Sequence, residues 1–186
     1  MATAADERHC IKLAQEGDMR AFRLLVESYM RQAYNIAYGV LSNHDDAQDV
    51  AQESFVRVFQ SLKSFRGDAQ FSTWLYRIVM NVSLNHVSRR KTKFEHEARI
   101  DDETRLAIAA DVVPKYTQDV RAHVERALHE LPTLQRSVVI LRHLNGLSTK
   151  QVSGILRCSE GTVKTHLHRG LKKMRSLLGF LESEVV

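Results

Sequence analysis

Lys164, Thr165, His168, Arg169 and Lys172 recur at a spacing that gathers them on one side of a helix, opposite Val163, Leu167, Leu171 and Met174. Side chains of these types hydrogen-bond base edges and phosphates in a major groove. The surrounding charge agrees: from Thr133 to Leu178 nine basic residues stand against one acid, Glu160, which is an electrostatic footprint for a polyanion. A second constellation joins the loop Phe65-Arg-Gly-Asp-Ala-Gln to a helix carrying Arg77, Asn81 and Ser88 and closing on Arg89-Arg90-Lys91. Aromatic faces, amides and a basic track together suit unpaired bases. Phe71 and Trp74 also read as ordinary core residues, Trp74 more so because it sits in the middle of the apolar stripe. A third group, Asp46, Asp49, Gln52 and Glu53, shares one helix face and is either a solvated surface or a docking face for a basic partner.

Catalytic chemistry has no comparable home. The sequence holds no phosphate-binding Gly-rich loop and no nucleophile elbow. His166 and His168 lie two apart, so on a helix they point to different faces and cannot chelate together. Cys10 and Cys158 lack metal-site or redox spacing. The expectation is a non-enzyme with no metal, no cofactor and reduced thiols.

These groups need helices to position them. With only 8 Gly and 2 Pro in 186 residues, long helices are the default and a β-sandwich is not expected. Asp18 is the expected N-cap of a helix through Leu41, with Phe22, Leu25, Val26, Tyr29, Ala33, Ile36, Ala37, Val40 and Leu41 inward. A second helix is expected from near Asp45, burying Ala47, Val50, Ala51, Phe55 and Val58. A third follows the Phe65 loop, with Phe71, Trp74, Leu75, Ile78, Val79 and Val82 as its stripe.

In the C-terminal half a helix is expected from Val120 to Leu131, and another capped by Thr133 and ended by Asn145-Gly146. Ser148-Thr-Lys-Gln151 is a capping box for a short helix, Arg157-Cys158 a turn, and Ser159 the cap of the long basic helix. Short helix, tight turn and longer helix make a helix-turn-helix.

The fold class is therefore all-α: two small helical domains, 1–91 and 120–186, joined by an acidic linker, 92–119. The linker carries four basic residues against seven acids, loses the periodicity of its neighbours and contains Pro114, although Leu106 to Ala110 suit a short helix. No apolar run is long enough to span a bilayer and the N-terminus lacks a signal-peptide pattern, so a cytoplasmic protein without membrane insertion is expected.

Asp46-Ala-Gln-Asp-Val-Ala-Gln-Glu53, Phe65-Arg-Gly-Asp68, Phe71-Ser-Thr-Trp-Leu-Tyr-Arg-Ile78, Leu131-Pro132, and Leu147-Ser148 through Ser159-Glu-Gly-Thr-Val-Lys164 closely resemble bacterial sigma factors of the extracytoplasmic-function group, in the sigma-70 family. The likeness runs from about Ala14 to Leu178 in the family's order, the linker excepted. It implies a promoter-specificity subunit that binds core RNA polymerase, recognises the minus-thirty-five and minus-ten elements and promotes DNA opening. Carried over residue by residue, it implies that Asp46, Asp49, Gln52 and Glu53 dock on the polymerase clamp coiled coil. Arg66, Asp68, Gln70, Phe71, Arg77, Asn81, Asn85, Arg89 and Arg90 would engage the melted minus-ten non-template strand, with one base held out of the stack. Arg142, Ser148, Lys150, Thr162, Lys164, Thr165, His168, Arg169 and Lys172 would hold the minus-thirty-five duplex, and the first helices of that domain would meet the polymerase flap. An anti-sigma factor is the further partner the resemblance implies. Gln48, Asn85, His166 and His168 depart from the family's commoner residues, which bears on promoter sequence rather than on function. The competing reading, a stand-alone helix-turn-helix repressor or activator, leaves the Arg66 to Asn85 constellation without a task.

Overall fold

The computed structural model describes residues 4–97 and 117–179. The expected helix at Leu106 to Ala110, the acidic run Asp101-Asp-Glu103 and Pro114 lie outside the described residues. Within them every regular element is helical.

The first unit comprises α1 (Ala4–Gln15), α2 (Met19–Leu41), α3 (His44–Ser61), a 3-10 turn (Leu62–Ser64) and α4 (Phe71–Glu97). Asp18 caps α2 as expected, its carboxylate accepting from the Arg20 and Ala21 amides at 2.7 and 3.3 Å. The α2–α3 corner turns on Ser42, whose φ of 52° is left-handed, and α3 begins one residue before Asp45 because the Asn43 side chain accepts from the Asp46 amide. Ala33, Ile36, Ala37, Val40, Val50, Val58, Leu75 and Val79 meet at the centre of this bundle. Helix α1 was not foreseen. Helix α4 runs past Lys91 to Glu97, into the span read as linker.

The second unit comprises α5 (Thr117–His129), α6 (Thr133–Val139), one π-helical turn (Ile140–Leu144), α7 (Thr149–Leu156) and α8 (Glu160–Leu178). Pro132, not Thr133, occupies the N-cap of α6, with no side-chain cap bond; its fixed φ is already that of a chain entering a helix. In the π turn Ile140 O accepts from both the backbone N and the side-chain amide of Asn145, at 3.1 and 3.0 Å, and Gly146 follows with φ 65°. The Ser148–Gln151 capping box is complete, Arg157 takes a left-handed φ of 52° at the turn, and Ser159 caps α8.

The two units are packed directly on each other. Val138, Ile140, Leu141, Leu147, Val152, Ile155 and Val163 belong to the same apolar cluster as the core of α2, α3 and α4. The approach is tight at Gly39 of α2, where a Cβ would stand 2.8 Å from Ile140 Cδ1. Polar bonds bind the seam: Tyr38 Oη donates to Glu125 at 3.1 Å, and Gln151 Nε2 donates to Thr73 Oγ1 at 3.1 Å. Arg136 adds a clip, donating to Val40 O at 2.9 Å and to His129 O and Leu131 O at 2.5 and 3.2 Å. Its guanidinium thus sits at the carbonyl ends of α2 and α5, where helix dipoles favour a cation. Burial nevertheless lowers its pKa from the usual arginine value. A smaller cluster, Leu128, Leu131 and Val139, seats α8 through Leu167, Leu171 and Met174.

Candidate promoter and polymerase interfaces

Helix α8 presents Lys164, Thr165, His168, Arg169 and Lys172 to solvent, as its spacing predicts, because Val163 is fully buried and Leu167 and Leu171 turn inward. Gly170 lets α8 lie against α6, since a Cβ there would meet Val139 at 2.9 Å. Thr165 Oγ1 donates back to Gly161 O at 3.0 Å, which leaves its oxygen as an acceptor, and the Thr162 and Ser159 hydroxyls share a hydrogen bond of 2.8 Å within the cap. Ser148 and Lys150 are exposed at the start of α7. Arg142 is placed differently: half-buried, it donates to Leu147 O and so braces the loop leading into α7. Arg136 and Lys173, which also contributed to the basic count, spend their charge on main-chain carbonyls.

In the first unit, all residues from Arg66 to Gln70 are exposed, between two aromatic posts. The Phe65 ring lies 5.7 Å from Phe71 and 5.0 Å from Trp74, and Phe71 meets Tyr29 at 5.4 Å. Gly67 takes φ 78°, a backbone that a side chain would strain. Helix α4 starts only at Phe71, its first turn closed by the Trp74 amide donating to Gln70 O, so Gly67 and Asp68 are not its caps. Phe71 requires a correction: at 2 % exposure it cannot stack on a base, and instead fixes the far end of the loop. Along α4, Arg77 and Asn81 are half-buried while Asn85, Arg89 and Arg90 are exposed.

The acidic group divides. Asp49, Gln52 and Glu53 are exposed on α3, with Glu53 paired to Arg57 at 2.5 Å. Asp46 turns toward α4, 2.9 Å from Arg90 and 3.3 Å from His86 Nε2. Sequence reasoning missed two features here. Val56 and Phe59 extend the acidic face as an exposed apolar strip, and Phe22 of α2 meets Phe59 edge-on at 5.1 Å. The signal was present, since Val56 falls seven residues after Asp49, but it was masked by the stronger buried stripe of α3. The other is Thr73, whose bond to Gln151 has no local signature.

The geometry thus separates an exposed basic helix, α8, from an exposed loop and the helix that follows it, and comparison with known proteins decides which family carries both. Residues 25–93 match the family described as Sigma-70 region 2, and residues 121–174 that described as Sigma-70, region 4. The chain is 31% identical over 176 residues to the ECF RNA polymerase sigma factor SigW of Bacillus subtilis, covering 90% of this chain and 94% of that one. The chain belongs to the sigma-70 family, in its extracytoplasmic-function group. The ECF RNA polymerase sigma-E factor of Escherichia coli is 30% identical over 177 residues, covering 91% and 92% of the two chains. Among solved structures, CnrH in complex with the cytosolic domain of CnrY superposes with a TM-score of 0.69 at 26% identity, covering 94% of this chain and 97% of that one. The sigma factor RpoE of Bartonella quintana, solved with the anti-sigma factor NepR, has a TM-score of 0.71 at 22% identity, covering 87% and 98%, and shares the fold. As a sigma factor of this group, the chain is a promoter-recognition subunit of RNA polymerase. The match to region 2 falls within the first unit and the match to region 4 within the second.

Proposed function

We propose that this sigma factor docks on core polymerase through Asp49, Gln52 and Glu53, with Asp46 at the edge of that face. It holds the melted minus-ten strand at Arg66, Asp68 and Gln70 and along Arg77, Asn81, Asn85, Arg89 and Arg90. It reads the minus-thirty-five duplex with Lys164, Thr165, His168, Arg169 and Lys172, supported by Ser148, Lys150, Thr162 and Arg142. The observation that carries this reading is the exposed loop from Arg66 to Gln70 held between the Phe65 and Phe71 rings. A regulator that reads only duplex DNA has no use for such a surface, whereas a base taken out of its stack needs one. The unstacking cost is a few kcal/mol, offset by contacts in the loop, so opening follows from binding and no catalytic group is required.

The clamp coiled coil and flap of polymerase are the docking partners of this reading, and an anti-sigma factor is the regulatory one, as the group's resemblance implies. The protein acts in the cytoplasm; among the described residues no helix is long and apolar enough to cross a membrane. The test is size-exclusion chromatography of the full chain with bacterial core polymerase, followed by permanganate footprinting of a cognate promoter. Co-elution in a stoichiometric complex with reactive thymines around minus ten supports the reading. A chain that stays apart from core yet binds duplex DNA is a stand-alone regulator instead.

A further inference from the structure

The loop proposed to hold the extruded base is braced from a helix that lies outside the matched region 2. Helix α1 ends at Gln15, and the Gln15 side-chain nitrogen donates to Leu62 O at 2.9 Å and to Phe65 O at 2.8 Å. Both partners are carbonyl oxygens that can only accept, so each takes one of the two amide hydrogens. Phe65 is the last residue before the loop. Its carbonyl is thereby fixed by Gln15, while its ring is fixed by Phe71 and Trp74.

These bonds do more than end a helix. Leu62 O already accepts from the Phe65 amide at 3.0 Å, so it has a partner without Gln15. What Gln15 adds is a bridge across Lys63 and Ser64 that sets the direction in which the chain leaves Phe65 toward Arg66 and Gly67. The donor is itself held still. Ile11 and Ala14 of α1 are buried in the core of region 2, and the tight turn after Gln15 is closed by the Gly17 and Asp18 amides donating to Ala14 O and Leu13 O. At the other end of α1, Tyr29 Oη donates to the Glu7 carboxylate at 2.7 Å. A rigid helix thus carries one donor to the root of an exposed loop, the arrangement by which a binding constellation is held close to its productive geometry.

We propose that Gln15 is a positioning residue for recognition of the melted minus-ten strand: it orients the Arg66 to Gln70 loop so that one base is selected. This rests on the assignment of that loop to the minus-ten strand. Gln15 touches no nucleotide in this account. It acts through Phe65, and its loss should blur selection at one position rather than weaken every contact.

The test uses holoenzyme reconstituted from core polymerase and the full chain, selecting from a pool of randomised single-stranded DNA. Gln15→Glu keeps the shape but aims a carboxylate at two carbonyl oxygens. It should cut enrichment at the strongest selected position about ten-fold and leave neighbouring positions, core affinity and minus-thirty-five duplex binding near wild type. Gln15→Lys restores a donor and should recover most of that enrichment. Selection by Gln15→Glu indistinguishable from wild type overturns the proposal. So does an even loss at all positions accompanied by weaker core binding and a lower unfolding midpoint, which would make Gln15 a fold-stabilising residue only. Failure of the wild-type holoenzyme to select any single strand has a different meaning: it removes the minus-ten assignment of the loop.

Discussion

The Asp46 carboxylate of α3 and the Arg90 guanidinium of α4 stand 2.9 Å apart, with His86 Nε2 3.3 Å from the same carboxylate. The resemblance assigned these residues to different partners, Asp46 to polymerase and Arg90 to promoter DNA. Their pairing therefore joins the two proposed faces of region 2 at one point, and on that proposal Asp46 would exchange Arg90 for polymerase and Arg90 would exchange Asp46 for DNA.

The exchange costs little, because both side chains keep much of their exposure, 25% for Asp46 and 41% for Arg90. A double-mutant cycle with Asp46→Asn and Arg90→Gln, read by urea unfolding, should give a coupling of about 0.5 kcal/mol that fades in high salt. A coupling of several kcal/mol would mean a structural lock.

Asp49 lies on the exposed side of α3. Asp49→Arg should weaken core binding by about 1–3 kcal/mol, more than Asp46→Arg does, while binding of the minus-thirty-five duplex stays unchanged. Equal core affinity for wild type and Asp49→Arg would remove the docking assignment.

On α8, a base-edge contact and a phosphate contact have distinguishable signatures. Arg169→Ala should cost about 1–3 kcal/mol and relax specificity at one promoter position. Lys172→Ala should weaken all sequences alike and reduce the salt slope by about 1. Promoter-variant binding measured at several salt concentrations separates the two.

The seam between regions 2 and 4 offers two independent ways to open it. Gly39→Leu forces atoms into the space of Ile140 Cδ1 and should destabilise the packed arrangement by about 1–3 kcal/mol. Arg136→Ala deprives the Val40, His129 and Leu131 carbonyls of their donor, at a similar cost. Small-angle scattering should show a larger radius of gyration for both variants. Dimensions unchanged from wild type would mean that the seam does not depend on these contacts.

Alkaline pH should release α1. Burial, and then the hydrogen bond to Glu7, push the Tyr29 pKa well above its ordinary value of 10.0. Folding therefore favours the protonated phenol: its contribution is intact below pH 10 and is lost as pH rises through that value toward the raised one. Tyr29→Phe should flatten part of the fall in urea midpoint between pH 9 and 11, an interval chosen to bracket the ordinary phenol pKa.

The elements legible beforehand were those that carry their own signals. Asp18, Ser148 and Ser159 marked helix starts because their side chains bond local amides, and α2, α3 and α8 showed apolar stripes because each buries one face. Helix α1 gave only a short stripe: Ile11 and Ala14 are buried, Cys10 and Leu13 pack beside them, and polar bonds at Glu7 and Gln15 to distant partners add to its attachment. Helix α4 misled in another way. Tyr76 and Met80 are buried as well as the expected Leu75 and Val79, because α4 is packed on more than one side: α7 meets it at Thr73, and Tyr76 lies near Glu7 of α1. Phe71 was ambiguous too, since an aromatic at a loop edge has one spacing whether it stacks on a base or packs edge-on against Tyr29. The Arg90 and Arg142 assignments came from charge and resemblance, and their partners in the fold, Asp46 and Leu147, lie where no residue spacing could reveal them.

The closed seam has a consequence for how far this protein can reach. The minus-ten and minus-thirty-five elements lie about 25 base pairs apart, about 85 Å of duplex at 3.4 Å per base pair. A packed chain of 186 residues has a radius of gyration of only about 16 Å. On the proposed assignment of the two surfaces, the packed state cannot occupy both elements at once, so two-element binding would draw on the open fraction alone. The apparent dissociation constant is the intrinsic one divided by that fraction, and each 1.4 kcal/mol held in the seam raises it about ten-fold. On that assignment, the close approach of Gly39 to Ile140 would act as a threshold, which a partner preferring the separated halves would lower.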